Sequence, residues 1–257
     1  MCFGKYDEAS RDSYHLIKPM YESECVSLKL INHKESNIFI LKMIAGENWL
    51  NEKMLNEWNK CLDIIEKEDL PNSVLISTSD GKFYSNGLDL LDKTMPEATD
   101  FIFSKVYPFY ARLLIFRYPT IALINGHAFA GGWMMSLCHD YRIMNNEKGF
   151  VCMNEVKIPI PLSLGFAKIV QTKQDKLTAV CLEAKRYTAV ECLQNGWIDQ
   201  ACGKEFLMEN CIKMAEKVSD VLDNEVYSRI KRAMYFDCYN VLKNPEEKAI
   251  PLFNSKL

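Results

Sequence analysis

Five residues, 120–124 (Thr-Ile-Ala-Leu-Ile), lie between Pro119 and an Asn125-Gly126 pair. That is the length of a buried strand, bounded by turn chemistry. Ala128, Ala130, Gly131 and Gly132 follow, then an apolar stretch over 132–138 that reads as a buried helix. A strand that feeds a small-residue loop and then a helix restricts the chain to a layered α/β arrangement. Such a loop also lets a ligand approach the backbone and can aim free N–H groups at it. About two dozen residues on, after a strand expected over 150–153, Glu155 stands alone in a mostly apolar setting. N–H donors beside one sequestered carboxylate suit proton transfer next to a carbonyl.

A similar unit lies upstream. The apolar run 73–78 reads as a strand and ends at Ser79-Asp80-Gly81. Farther on, Asn86-Gly87 precedes Leu88-Asp89-Leu90, which reads as the opening of a helix. One N–H from each loop, converging on one oxygen, makes an oxyanion hole. The plainer reading is two glycine turns after buried strands, common in α/β proteins.

The rest of the chain sets these loops in order. Residues 1–23 read as a loose polar arm, 26–31 and 37–44 as a hairpin, and 50–67 as a helix with Leu50, Met54, Leu55, Trp58, Leu62 and Ile65 facing the core. The aromatic run 101–116 reads as a helix kinked or restarted near Pro108. A strand over 141–144 is followed, past Pro161, by helices over 164–172, 174–184, 189–195, 204–219 and 224–242. The expected fold is one α/β domain with a C-terminal helical extension.

Composition narrows the functional classes. A net charge of −3 argues against broad nucleic-acid binding, and no apolar run reaches the ~18–20 residues of a membrane span. The ten cysteines form no C-x-x-C pair, so reduced buried thiols in an intracellular protein are expected and a zinc knuckle is not. The start is polar, unlike a secretory signal. Ser255-Lys256-Leu257 has the form of a receptor-read peroxisomal address, so the peroxisomal matrix and its import receptor are the expected location and partner.

Three motifs, in order, resemble the crotonase (enoyl-CoA hydratase/isomerase) superfamily. The first is Phe83-Tyr84-Ser85-Asn86-Gly87-Leu88-Asp89-Leu90, the second is 119–132, and the third is Asn154-Glu155-Val156-Lys157-Ile158-Pro159-Ile160-Pro161. The resemblance runs from about Val26 to at least Asp199, with departures at Asn86, where the family often has Ala, and Pro159, where it usually has Gly. It implies a spiral of ββα units over 24–200, a helical trimerisation region over 201–254, a homotrimer or hexamer, and acyl-CoA thioester substrates. Coenzyme A enters as part of the substrate; no separate cofactor or metal is implied. By motif position, the oxyanion donors are the N–H groups of Leu88 and Gly131. Asn86, Gly87, Leu88, Asp89, Leu90, Gly131 and Asn154 line the substrate groove, and Glu155 is the acid/base. Lys82, Lys157 and Lys168 are candidate contacts for the CoA phosphates.

The same resemblance separates reactions. Enoyl-CoA hydratases carry two glutamates, and Met134 stands here in place of the first. A methionine neither activates water nor donates a proton. One carboxylate suffices to move a proton from C2 to C4 of a 3-enoyl-CoA, which resembles the logic of Δ3,Δ2-enoyl-CoA isomerases in the β-oxidation of unsaturated fatty acids. The wording of the first motif and the Ser-Lys-Leu end look especially like plant-type peroxisomal members. Phe129, Trp133, Met134 and Ile158 are the expected apolar pocket walls, and the base is expected to have a raised pKa. The alternatives are a hydratase, a dienoyl-CoA isomerase, a thioesterase, or a non-catalytic acyl-CoA binder. His127 and His139 accompany no nucleophile motif, and His139 is expected to be structural.

Overall fold

A computed structural model describes residues 16–158, 161–221 and 223–245. Pro159 and the Ser255-Lys256-Leu257 address lie outside the described residues. The chain opens with three antiparallel strands, β1 (Leu16–Glu22), β2 (Val26–His33) and β3 (Ser36–Met43). A two-residue strand, β4 (Trp49–Leu50), leads into α1 (Glu52–Glu68). Asn51 caps this helix by accepting from the Met54 amide at 2.9 Å, and Asp69 closes it in the left-handed region. The expected apolar stripe from Leu50 to Ile65 is fully buried.

The first strand corrects the sequence reading, which put a loose arm through residue 23. Residues 16–22 instead form the edge of the sheet, with a register irregularity between Pro19 and Tyr21. Proline cannot donate to a ladder and is tolerated only at such an edge, which is why the segment does not read as a strand. The Tyr21 hydroxyl donates to Glu57 of α1 at 2.6 Å and pins the edge down.

Next come β5 (Ser73–Ser79), β6 (Phe83–Ser85) and β7 (Gly87–Leu88). No helix opens at Leu88-Asp89-Leu90, contrary to expectation: β7 pairs with β4, and α2 (Met95–Phe101) begins only after the Thr94–Glu97 capping box. A π-helical segment at Ile102–Val106 joins α2 to α3 (Tyr107–Leu114) without a break, so Pro108 falls just after a stretch whose hydrogen-bond ladder is already irregular. Then follow β8 (Thr120–Ile124), β9 (His127–Phe129), α4 (Gly131–Leu137), β10 (Tyr141–Asn145) and β11 (Val151–Cys152).

The C-terminal part holds α5 (Leu164–Lys173), α6 (Ala189–Gln194), β12 (Gln200–Cys202), α7 (Leu207–Val218), α8 (Asn224–Met234) and α9 (Phe236–Lys243). Of the helix expected over 174–184 only a π-turn at Thr178–Leu182 forms, and Tyr235 breaks the last expected helix in two. Seven strands make the main sheet in the order β1-β2-β3-β5-β8-β10-β12, parallel from β3 onward. Val74, Ile76, Ile121, Leu123 and Ile143 pack on one face against Leu207, Cys211 and Ile212 of α7. The larger core on the other face holds α1, α3, α4 and α5. Among the described residues no helix is long and apolar enough to cross a membrane, and the nine described cysteines are free.

Candidate active site

Three short strands, β6, β9 and β11, pair in parallel as a separate sheet in the order β11-β9-β6. Parallel pairing puts all three carboxyl ends on one side. Each strand therefore delivers its following residues to the same place: Asn86-Gly87-Leu88 after β6, Ala130-Gly131 after β9, and Met153-Asn154-Glu155 after β11. Ligands of open α/β sheets bind at such carboxyl ends.

The two loops are in contact through their backbones. Gly87 has φ +97, and a Cβ there would lie 2.9 Å from the Phe129 carbonyl oxygen and 3.3 Å from the Gly131 nitrogen. A Cβ on Gly132 would come within 2.3 Å of the Ser85 carbonyl oxygen. Only glycine permits this approach. Gly131 opens α4, so its N–H belongs to the first turn and has no acceptor within the helix. The first loop is held from behind by residues the sequence reading passed over. Asn48, fully buried with φ 53, donates to the Phe83 carbonyl at 3.2 Å and accepts from the Ser85 hydroxyl at its own carbonyl at 2.7 Å. Asn86 donates through its amide N–H to the Glu47 carbonyl at 3.0 Å and through Nδ2 to the Glu47 carboxylate at 2.8 Å. The Gly46–Asn48 turn residues were the available signal.

Glu155 starts a single 3₁₀ turn, Glu155–Lys157, and is 9% exposed. Burial pushes its carboxyl up to about 7, opposed only by its own backbone hydrogen bond. The other buried carboxylate among the described residues, Glu57, is 8% exposed, but hydrogen bonds from Lys60 and Tyr21 hold it down at about 2. The two carboxyls expose similar area but differ in depth and partners: Glu57, near the surface and bonded to Lys60 and Tyr21, is a neutralised structural anion, and Glu155, set deeper, is a carboxyl poised near neutrality, as a general base requires. Its charge is felt by Tyr110, Cys152 and Cys181, all neutral groups.

The remaining expected site residues divide. Leu88 packs on Gly131, its Cγ and Cδ2 being 3.0 Å from where a Gly131 Cβ would stand. Asn154 keeps a buried Oδ1 with no hydrogen-bond partner among the described residues. Asp89 and Leu90 are half-buried; the Asp89 amide donates to the Leu50 carbonyl at 3.2 Å. Trp133 and Met134 are each 1% exposed on the first turn of α4, whereas Ile158 is 45% exposed. Phe129 packs with Phe83 and His127 on the small sheet, and the Arg186 guanidinium lies over its ring. Lys157 donates to the Ala184 carbonyl, and Lys82 lies over the Phe83 ring. His139 is structural: Nδ1 meets the Met135 carbonyl, Nε2 meets the Ser77 hydroxyl, and burial lowers its pKa to about 3.

A family model described as enoyl-CoA hydratase/isomerase matches residues 33–254. The chain belongs to the enoyl-CoA hydratase/isomerase family. Membership in this crotonase family supports an enzyme of the crotonase type. It is 33% identical over 209 residues to enoyl-CoA delta isomerase 1, peroxisomal, of Arabidopsis thaliana, covering 78% of this chain and 87% of that one. Enoyl-CoA delta isomerase 2, peroxisomal, of the same plant is 27% identical over 223 residues, covering 81% and 93%. The fold matches the apo structure of a Mycobacterium tuberculosis enoyl-CoA isomerase with a TM-score of 0.76 at 23% identity, covering 86% of this chain and 96% of that one. The expected crotonase-like α/β core with C-terminal helices is therefore present.

Proposed function

We propose that the protein is a Δ3,Δ2-enoyl-CoA isomerase acting on unsaturated fatty acyl-CoA. The observation that carries this reading is the pairing of one buried, uncompensated carboxylate, Glu155, with a buried methionine, Met134, where a hydratase holds its other glutamate. The thioester oxygen is taken by the N–H groups of Leu88 and Gly131. Glu155 then removes a proton from C2, and the electron pair of that C–H bond enters the C1–C2 bond as the carbonyl becomes an enolate. The dienolate collapses by taking the same proton at C4 from the Glu155 carboxyl, and the double bond ends between C2 and C3. Atoms and charge balance without water. The unpartnered Asn154 Oδ1 supports a role in receiving a substrate N–H.

A peroxisomal setting is supported by the names of the two Arabidopsis relatives. Assembly with further copies of this chain is supported by an exposed stripe along α8, Val226, Ile230 and Met234, continued by Phe236. The activity test is direct: mix the protein with 3-enoyl-CoA of several chain lengths and follow the absorbance of the conjugated 2-enoyl thioester. Its appearance supports the isomerase, and no turnover at any chain length favours an acyl-CoA binder.

A further inference from the structure

Tyr110 lies on α3, fully buried, with its ring held against Phe109 and Phe166 at centroid distances of 5.7 and 6.1 Å. Its hydroxyl donates to the Gly131 carbonyl oxygen at 2.7 Å. Three consecutive peptide groups meet there. The Ala130 N–H is fixed by the Cys152 carbonyl at 2.8 Å, and the Gly131 carbonyl by Tyr110. The peptide between them carries the Gly131 N–H. Ala130 itself has φ 46 and ψ −117, a conformation that a residue with a Cβ adopts only when its surroundings impose it. The middle peptide is also held directly, its Ala130 carbonyl accepting from the Met134 N–H at 3.0 Å, and the Tyr110 bond to the next carbonyl braces the first turn of α4 that carries both.

We propose that Tyr110 is a positioning residue that, together with the Met134 N–H on the Ala130 carbonyl, holds the direction of the Gly131 N–H, so that this donor is preorganised for negative charge on a thioester oxygen. This rests on the isomerase reading above for its kinetic consequence, but not for its structural one. A preorganised donor contributes most when charge develops, so loss of its clamp lowers kcat more than it raises KM. Tyr110 also feels the Glu155 carboxylate, which adds to burial in raising its hydroxyl well above the ordinary phenol value. The hydroxyl therefore stays protonated and continues to donate while Glu155 is ionised.

The test is Tyr110→Phe, with Tyr107→Phe as its control. Tyr107, one turn earlier on α3, also loses a buried hydroxyl, one bonded to Ser163 and to the Gly165 amide at 2.6 and 3.0 Å. Tyr110→Phe is expected to lower kcat on 3-enoyl-CoA about tenfold, below the full loss of an oxyanion donor, with KM changed less than about twofold. Tyr107→Phe is expected to keep kcat within about twofold at a similar drop in Tm. An infrared readout needs no turnover. The thioester carbonyl band of bound saturated acyl-CoA should shift to lower frequency in the wild-type protein and shift less in Tyr110→Phe. Equal bands in the two proteins, or equal kcat losses in the two variants, overturn the proposal. A wild-type protein that shifts the band but does not isomerise overturns the isomerase reading and leaves Tyr110 in place.

Discussion

The amide of Ala130 donates to the carbonyl of Cys152 at 2.8 Å. This bond joins the loop that carries the Gly131 N–H to the end of β11, three residues before Glu155, so the proposed donor and the proposed base share one backbone support. Because β9 and β11 also pair directly, Val151 with Ala128 and Cys152 with Phe129, the support is backbone throughout.

Ala130 occupies backbone space that suits glycine. Ala130→Gly removes a strain of about 1–3 kcal/mol, partly offset by the chain entropy glycine loses on folding. Chemical denaturation should show it as stable as the parent, or more so. Ala130→Val should lose more than about 1 kcal/mol, since a branched side chain fits that conformation worst.

Glu155 links function to stability. Its folded-state pKa, about 7, lies above the unfolded value, so ionisation disfavours the fold. The penalty is absent below the unfolded pKa, grows as pH rises, and is complete above about 7. Glu155→Gln should therefore raise stability at pH 8 by up to roughly 3 kcal/mol and leave it nearly unchanged at pH 4. Denaturant midpoints at the two pH values decide this.

The rate should follow the same group. In the proposed role of base Glu155 must be ionised, so kcat/KM for 3-enoyl-CoA is expected to rise with pH through about 7 and then level. An activity that instead falls through that range would assign the rate-determining form to a protonated group.

Much of this site is legible in the chain. The order of Gly87, Gly131 and Glu155 is what the resemblance of the three motifs picks out, since the glycine turns alone read as ordinary α/β turns. The elements that support them are not. The strands β4 and β7 have two residues each and owe their existence to each other, and β1 contains a proline that masks its pairing. Tyr110 is indistinguishable in sequence from its neighbour Phe109, because only the arrival of Gly131 gives its hydroxyl a partner. The exposure of Ile158 and the aromatic packing of Phe129 are likewise set by contacts distant in sequence.

Lys231 of α8 is buried and donates to Asp140 at 2.9 Å and to the Phe116 carbonyl at 3.0 Å. Lys231→Ala leaves the half-buried Asp140 carboxylate without its lysine, held only by donors from Thr120 and Tyr227. It should cost about 1–3 kcal/mol. Differential hydrogen exchange should locate the loosening in α8 and the segment before β8.

The central claim is that one carboxylate carries the reaction. Glu155→Gln keeps the shape and volume of the side chain and removes the base. The measurement is its turnover of 3-enoyl-CoA beside its affinity for the same thioester. The single-base account predicts a fall in kcat of roughly 10³-fold with CoA-ester binding retained. Near-full activity in this variant would contradict it.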